Sequence, residues 1–282
     1  MLFILLFSFG CMRSTPGIEP EVVDYHKGTK GLEISILKNL PPDKIIKENS
    51  FVIGVELVNS GAFDIEEGTI SISGYDPKYV DVQELLREFE LKGKQPGYPE
   101  GETMIINFNA LNIDIPKGSD EYTASFTVNS QYKYRTEATT EVCINPDLYN
   151  IAKVGAICET KELTLSKGQG APVAVTKITP VISPRNLDYD ITFIIEIDNK
   201  GKGEVLGNIK IISAELSREK LKCPDTVDFN NKEGNLIPCS ITLKDLRGAY
   251  VAPFIIKLEY EYENKVDKKL TIIDPLVKSK KI

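Results

Sequence analysis

FVIGVELVNSG, spanning Phe51 to Gly61, returns 140 positions later as ITFIIEIDNKG, Ile191 to Gly201. Val55 and Leu57 flank Glu56 in the first run, and Ile195 and Ile197 flank Glu196 in the second, the period-two pattern of a strand with one buried face. Each run ends in Asn-x-Gly. Asn and Gly tolerate the left-handed backbone that a tight reversal needs, so Asn59-Ser60-Gly61 and Asn199-Lys200-Gly201 predict a hairpin or a short crossing. A second strand follows in both, GTISIS from Gly68 and GNIKII from Gly207.

A further match sets the scale of the repeat. YTASFTVNSQYKY from Tyr122 aligns without a gap on YVAPFIIKLEYEY from Tyr250, so that Tyr122, Ala124, Phe126, Tyr132 and Tyr134 recur as Tyr250, Ala252, Phe254, Tyr260 and Tyr262. The offset here is 128, so the first copy carries roughly a dozen extra residues, which fall between Tyr79 and Gly101. The chain is a duplication.

At 282 residues the sequence is long enough for two domains, each with its own core. A net charge of -7, with Lys and Arg interleaved among acids, argues against a nucleic-acid surface, where basic residues cluster. The short basic end, residues 276–282, reads as a solvated tail.

LFILLFSFGC at the start holds only about eight apolar residues before Gly10, against the roughly 20 of a spanning helix. It fits the apolar part of a signal peptide over 1–10, with Cys11 next and a Pro-, Gly- and charge-rich tether over 11–30. Cys11 is the expected site of lipidation, with plain signal cleavage and an uncleaved anchor as alternatives. Setting Cys11 aside leaves Cys143, Cys158, Cys223 and Cys239, an even set that implies disulfides and an exported protein. Of three connectivities, Cys143 with Cys158 and Cys223 with Cys239 pair neighbours in sequence. A zinc site is the rival, although the spacing supplies no C-x2-4-C knuckle.

Strands at LEISIL from Leu32, at TMIINF, at the YTASF run and at ATTEVCI give the first copy about seven, the count of an immunoglobulin-like sandwich. The expected fold class is therefore all-β, two tandem immunoglobulin-like sandwiches over 31–167 and 171–275. The first has an insertion near 80–100 and a disulfide loop over 143–158. Val82, Leu85, Leu86 and Phe89 fall at helical spacing in the insertion, and FELKG reads equally as a strand. Lys167-Gly168-Gln169-Gly170-Ala171-Pro172 has the composition of a hinge between domains.

The single histidine, His26, lies in the tether, so neither domain holds the base of a Ser-His-Asp or Cys-His arrangement, and no catalytic residue is assigned. No P-loop, metal-ligand or cofactor motif occurs, and the acids of a glycosidase pair or a calcium site have no distinguishing spacing. Tyr132, Tyr134, Tyr260 and Tyr262 either form exposed aromatic pairs for protein or glycan binding or pack at a sheet face.

VELVNSG and IEIDNKG, each with a later YxAxF strand, resemble the CARDB-type and S-layer-associated immunoglobulin-like domains of archaeal cell-surface proteins. The resemblance spans roughly Gly31 to Ile273 and carries no catalytic residues. It implies a cell-surface module for adhesion, spacing or protein contacts. The expected protein is thus a non-catalytic, membrane-anchored, extracytoplasmic envelope (lipo)protein with envelope proteins or glycans as partners, no cofactor and no nucleic acid. The alternatives are an accessory subunit of a larger surface or secretion complex, and a secreted carboxylate-dependent hydrolase.

Overall fold

The computed structural model describes residues 24–147, 157–186, 188–229, 235–244, 246 and 248–278. In the first half of the chain the strands are β1 (Leu32–Ile36), β2 (Lys44–Ile46), β3 (Phe51–Asn59), β4 (Ile65–Ser73), β5 (Asp81–Val82), β6 (Leu86–Leu91), β7 (Thr103–Leu111) and β8 (Glu121–Ile144). In the second they are β9 (Leu163–Thr164), β10 (Val173–Arg185), β11 (Asp188–Asn199), β12 (Glu204–Leu216), β13 (Glu219–Lys220), β14 (Thr226–Asp228), β15 (Asn235–Lys244) and β16 (Tyr250–Ile273). One helical turn, α1 (Pro275–Lys278), begins the basic tail.

The all-β expectation holds, and the strands form layered sheets. Two four-stranded sheets, β1-β3-β7-β5 and β15-β11-β10-β9, lie over one eight-membered sheet ordered β13-β12-β16-β8-β4-β6, with β14 on β12 and β2 on β16. Phe51 meets Phe126 at 5.8 Å between ring centres in the first half, and Phe193 meets Phe254 at 5.0 Å in the second, so each small sheet packs on the large one.

The two halves are not separate beads. β8 and β16 are each 24 residues long and pair antiparallel over their whole length, from Glu121↔Ile273 to Ile144↔Tyr250. At ~3.4 Å per residue that ribbon is about 80 Å long, and its even-numbered side chains lie under both small sheets. Ala124 to Tyr134 are buried in the first half, and Thr136 to Ile144 continue the same buried face into the second. The pairing sets Tyr132 opposite Tyr262, Lys133 opposite Glu261 and Tyr134 opposite Tyr260. Because the repeat offset is 128, Lys133 and Glu261 are equivalent positions, and the approximate two-fold axis relating the halves passes between them.

Three local readings change. No helix forms in the insertion: Asp81–Val82 pairs with β7, and Leu86–Leu91 pairs with β4. Phe89 and Leu91 point inward while Leu86, Glu88 and Glu90 face out, so alternation over LREFEL outweighs the helical spacing of four apolar residues. The hinge reading of Lys167–Pro172 also fails. Gln169 and Ala171 are buried, the Gln169 side chain donates to Val175 O and accepts from Val175 N–H, and Gly28 N–H donates to Lys167 O at 2.8 Å. This last contact docks the end of the tether, from Asp24, on the same segment.

The third change concerns Asn-x-Gly, which makes a crossing from a small sheet to the large one. None of Asn59, Gly61, Asn199 and Gly201 has a positive φ. Glycine is required there by close approach: a Cβ on Gly61 would collide with the Tyr134 hydroxyl, and one on Gly201 with that of Tyr262.

Both predicted disulfides are present, Cys143–Cys158 and Cys223–Cys239. Cys239 is buried on β15 opposite Phe193, while Cys223 follows a segment whose Leu221 N–H donates to Ala214 O on β12. This bond fastens the large sheet to the small one. We predict a loss of about 2–4 kcal/mol in denaturant stability for the C223S/C239S double variant, the range for closing a loop of this size. We also predict one unfolding transition for the whole protein, with coincident tyrosine fluorescence and far-UV dichroism curves; two resolved transitions would show that the ribbon does not couple the halves.

Candidate functional site

The four tyrosines, expected either as exposed binding pairs or as packing at a sheet face, lie at the two-fold axis, and the structure buries all of them at 1–3% exposure. An exposed aromatic platform is thereby corrected to a core cluster. Tyr132 packs edge-on to Tyr134 at 5.6 Å and against Tyr262 at 5.9 Å, and Tyr260 meets Tyr262 at 6.3 Å. Two residues apart on a strand does place each pair on one face, but that face is turned inward because a small sheet covers each end of the cluster.

Every hydroxyl in the cluster is bonded, and the bonds repeat across the axis. Tyr134 Oη donates to Asn59 Oδ1 at 3.0 Å and accepts from Phe63 N–H at 3.3 Å; Tyr262 Oη donates to Asn199 Oδ1 at 2.8 Å and accepts from Gly203 N–H at 3.0 Å. Asn59 in turn donates to Phe63 O at 2.8 Å, and Asn199 to Gly203 O at 2.7 Å. In the other pair, Tyr132 Oη accepts from Leu32 N–H and Tyr260 Oη from Val173 N–H. The carbonyls of the same two residues accept from Asn264 Nδ2 at 2.6 Å and Thr136 Oγ1 at 2.6 Å. Thr136 and Asn264 are themselves related by the 128-residue offset. Neither was singled out in the sequence, although each is a polar residue continuing an apolar alternation.

Burial drives the ionisation of these phenols upward. Tyr132, Tyr134 and Tyr260 are held well above the ordinary range, chiefly by desolvation, and Tyr262 is pushed up to about 12 for the same reason, opposed by the Gly203 N–H and Asn199 bonds. The cluster therefore stays neutral and fixed at any physiological pH.

The opposite face of the ribbon is solvated and charged. Glu137–Lys257 at 2.9 Å, Arg135–Glu259 at 3.3 Å and Lys133–Glu67 at 2.6 Å form a ladder along it, continued by Gln131 and Asn129 on Glu263. A groove of about 770 Å3 beside this ladder is lined by Glu66, Glu67, Glu88, Glu90, Glu261 and Lys133 among others. A glycosidase needs one carboxyl held protonated. Each carboxylate whose pKa is displaced is displaced downward: Glu67 by Lys133, and Glu263 because Lys265, Gln131 and Asn129 outweigh its burial. Among the described residues no group of His, Cys, Asp and Glu is arranged to hold a metal ion. Asp76 accepts from Lys78 N–H and Asp114 from Ile115 N–H, as turn residues do. His26 is exposed and lies edge-on to Phe63 at 5.4 Å. Cys11 and the stretch read as signal and tether before Asp24 lie outside the described residues; among the described residues no helix is long and apolar enough to cross a membrane.

No family model and no curated protein matches the chain. Among solved structures it is matched to the YadV chaperone at 9% identity, over 78% of this chain and 90% of that one, with a TM-score of 0.19. The E. coli chaperone DraB matches at 10% identity, over 78% and 86%, with a TM-score of 0.20. Likeness at that level carries no weight for fold or role.

The cluster makes a direct prediction. The phenols have a folded-state pKa above the unfolded value near 10, so their contribution to stability is complete below pH ~10 and is lost as pH rises towards the folded values. Spectrophotometric titration at alkaline pH should show the four buried tyrosines ionising only together with unfolding, in a step that coincides with loss of the far-UV dichroism; ionisation of all four with the dichroism intact would show that the cluster is not closed to water.

Proposed function

We propose that the chain is a non-catalytic extracytoplasmic envelope protein. In this reading two immunoglobulin-like sandwiches, fused through one sheet, form a stiff spacer held to a membrane by lipid on Cys11 and presenting its surfaces to envelope proteins or glycans. The observation that carries it is the unbroken β8–β16 ribbon running through both cores, since it converts a duplicated domain into one rigid body about 80 Å long. The two disulfides support an oxidising location outside the cytosol. The resemblance to CARDB-type and S-layer-associated domains points to the same spacing and contact role.

Service as a subunit of a larger surface complex has one observation in its favour. Val181, at 47% exposure, and Leu236, at 50%, lie on the outer face of the β15-β11-β10-β9 sheet with Pro238 opposite Ile194 between them. That row is modest, and the spacer reading stands first.

The anchor is tested by replacing Cys11 with Ser and following radiolabelled lipid incorporation and membrane fractionation. The expected result is loss of label and release of the protein into the soluble extracytoplasmic fraction. Retention on membranes without label would remove the lipid anchor from the account.

A further inference from the structure

The two halves differ at a point where the approximate two-fold demands a matching contact. Ala62 and Lys202 are equivalent, each three residues beyond the asparagine of Asn-x-Gly. The flanking contacts match: Ser60 N–H donates to Gly31 O at 3.0 Å, and Lys200 N–H donates to Pro172 O at 2.7 Å. The next one does not. Ala62 N–H donates to Gly170 O at 2.7 Å, and Gly170 reaches it by turning its backbone to a φ of 68°. The counterpart of Gly170 is Thr29, which is not among the residues of positive φ. Lys202 N–H has no backbone acceptor among the described residues.

The unfilled contact is a groove of about 350 Å3 at the join of the halves, with Thr29 and Lys30 on one wall and Lys200 and Lys202 on the other. Lys265 also lines it, and the rings of Tyr132 and Tyr262 form part of its floor. Three of these ammonium groups are held by carboxylates: Lys30 by Glu33 at 3.0 Å, Lys200 by Asp198 at 3.0 Å and Lys265 by Glu263. Lys202 makes no such pair among the described residues, and its side chain is exposed. The groove thus offers a backbone N–H and an ammonium without an ion-pair contact from the same residue, with the Glu33 carboxylate of the same lining near enough to feel that charge, in a site that in the other half is satisfied by an oxygen.

We propose that this groove binds a compact oxyanion, a carboxylate or a phosphate group, with an anionic oxygen taking the place on Lys202 N–H that Gly170 O takes on Ala62 N–H. A bond from a backbone N–H to an oxyanion is charge-assisted and stronger than the amide–carbonyl bond it replaces. At about 350 Å3 the groove is at the small end of the range for small-molecule sites, with room for an oxyanion and the group that carries it. Selectivity for anions over neutral ligands follows from the balance of charge around the groove, where Lys30, Lys200, Lys202 and Lys265 outnumber the carboxylates of Glu33, Asp198 and Glu263 that pair with or attract them.

Full-length protein labelled with nitrogen-15 is titrated at low ionic strength with sodium phosphate and, separately, with sodium succinate, each against sodium chloride at matched ionic strength. The expected result is a saturable shift of the Lys202 amide with little movement of Ala62. Saturation by phosphate alone assigns the site to phosphate groups, saturation by succinate alone to carboxylates, and saturation by both to the shared chemistry. K202Q should weaken binding about tenfold, the scale of one charge-assisted hydrogen bond, while K133Q on the outer ladder leaves it unchanged. A Lys202 amide that moves no further with either anion than with chloride overturns the proposal, as does equal weakening by K202Q and K133Q.

Discussion

The register of β8 on β16 is the constraint from which the rest of the structure follows. Side chains alternate strictly along a strand, so a slip of one residue would turn Tyr132, Tyr134, Tyr260 and Tyr262 outward and empty both cores. A slip of two is the real competitor, because it keeps the apolar face inside. The charged ladder does little to prevent it. Glu259, Glu261 and Glu263 form a continuous acidic row, and Lys133 or Arg135 would find a carboxylate at neighbouring registers as well. Such exposed pairs contribute about 0–1 kcal/mol each.

The buried polar groups discriminate where the charges do not. Shifted by two, Thr136 on β8 would leave the carbonyl of Val173 in the second half, and Asn264 on β16 that of Leu32 in the first, because these bonds cross between the halves. Each orphaned buried partner costs roughly 1–3 kcal/mol, so both lost at once exceed anything the outer ladder returns. These bonds and those of Tyr134 and Tyr262 to Asn59 and Asn199 fix how each small sheet sits, since Asn59 and Asn199 end β3 and β11 while Leu32 and Val173 begin β1 and β10. The buried polar cluster therefore sets register and sheet packing together.

Much of this was legible in the sequence, and the limits have physical causes. Alternation over VELVN and IEIDN identifies strands with one buried face, and the ungapped match of the tyrosine strands identifies the duplication. Period-two patterning says that one face is buried but not against what, so Tyr132 and Tyr134 read equally well as a surface or a core. Nor does a repeat specify that its copies pair with each other; the ribbon that joins them depends on β8 and β16 continuing for 24 residues, past the end of either sandwich. Gly168 and Gly170 have the composition of a hinge, yet their positive φ serves close packing against Gly28 and Ala62. The insertion misleads because four apolar residues in eight positions are too few to separate the two periods.

The axis itself shows what duplication within one chain makes available. In a dimer of identical repeats, the residue on the two-fold would face its own copy, and a charged residue there would meet a like charge directly opposite, which destabilises a strand pair. Here the position holds Lys133 facing Glu261. The two halves have diverged into complementary charges at the one place where identity would be penalised. The same freedom lets Ala62 and Lys202 differ while the framework around them, Asn-x-Gly and its tyrosine, is kept. Residues that obey the two-fold are accounted for by register and packing alone. Positions where the two-fold is broken are free of that accounting, and at the join of the halves Lys202 is one of them, with Lys133 and Glu261.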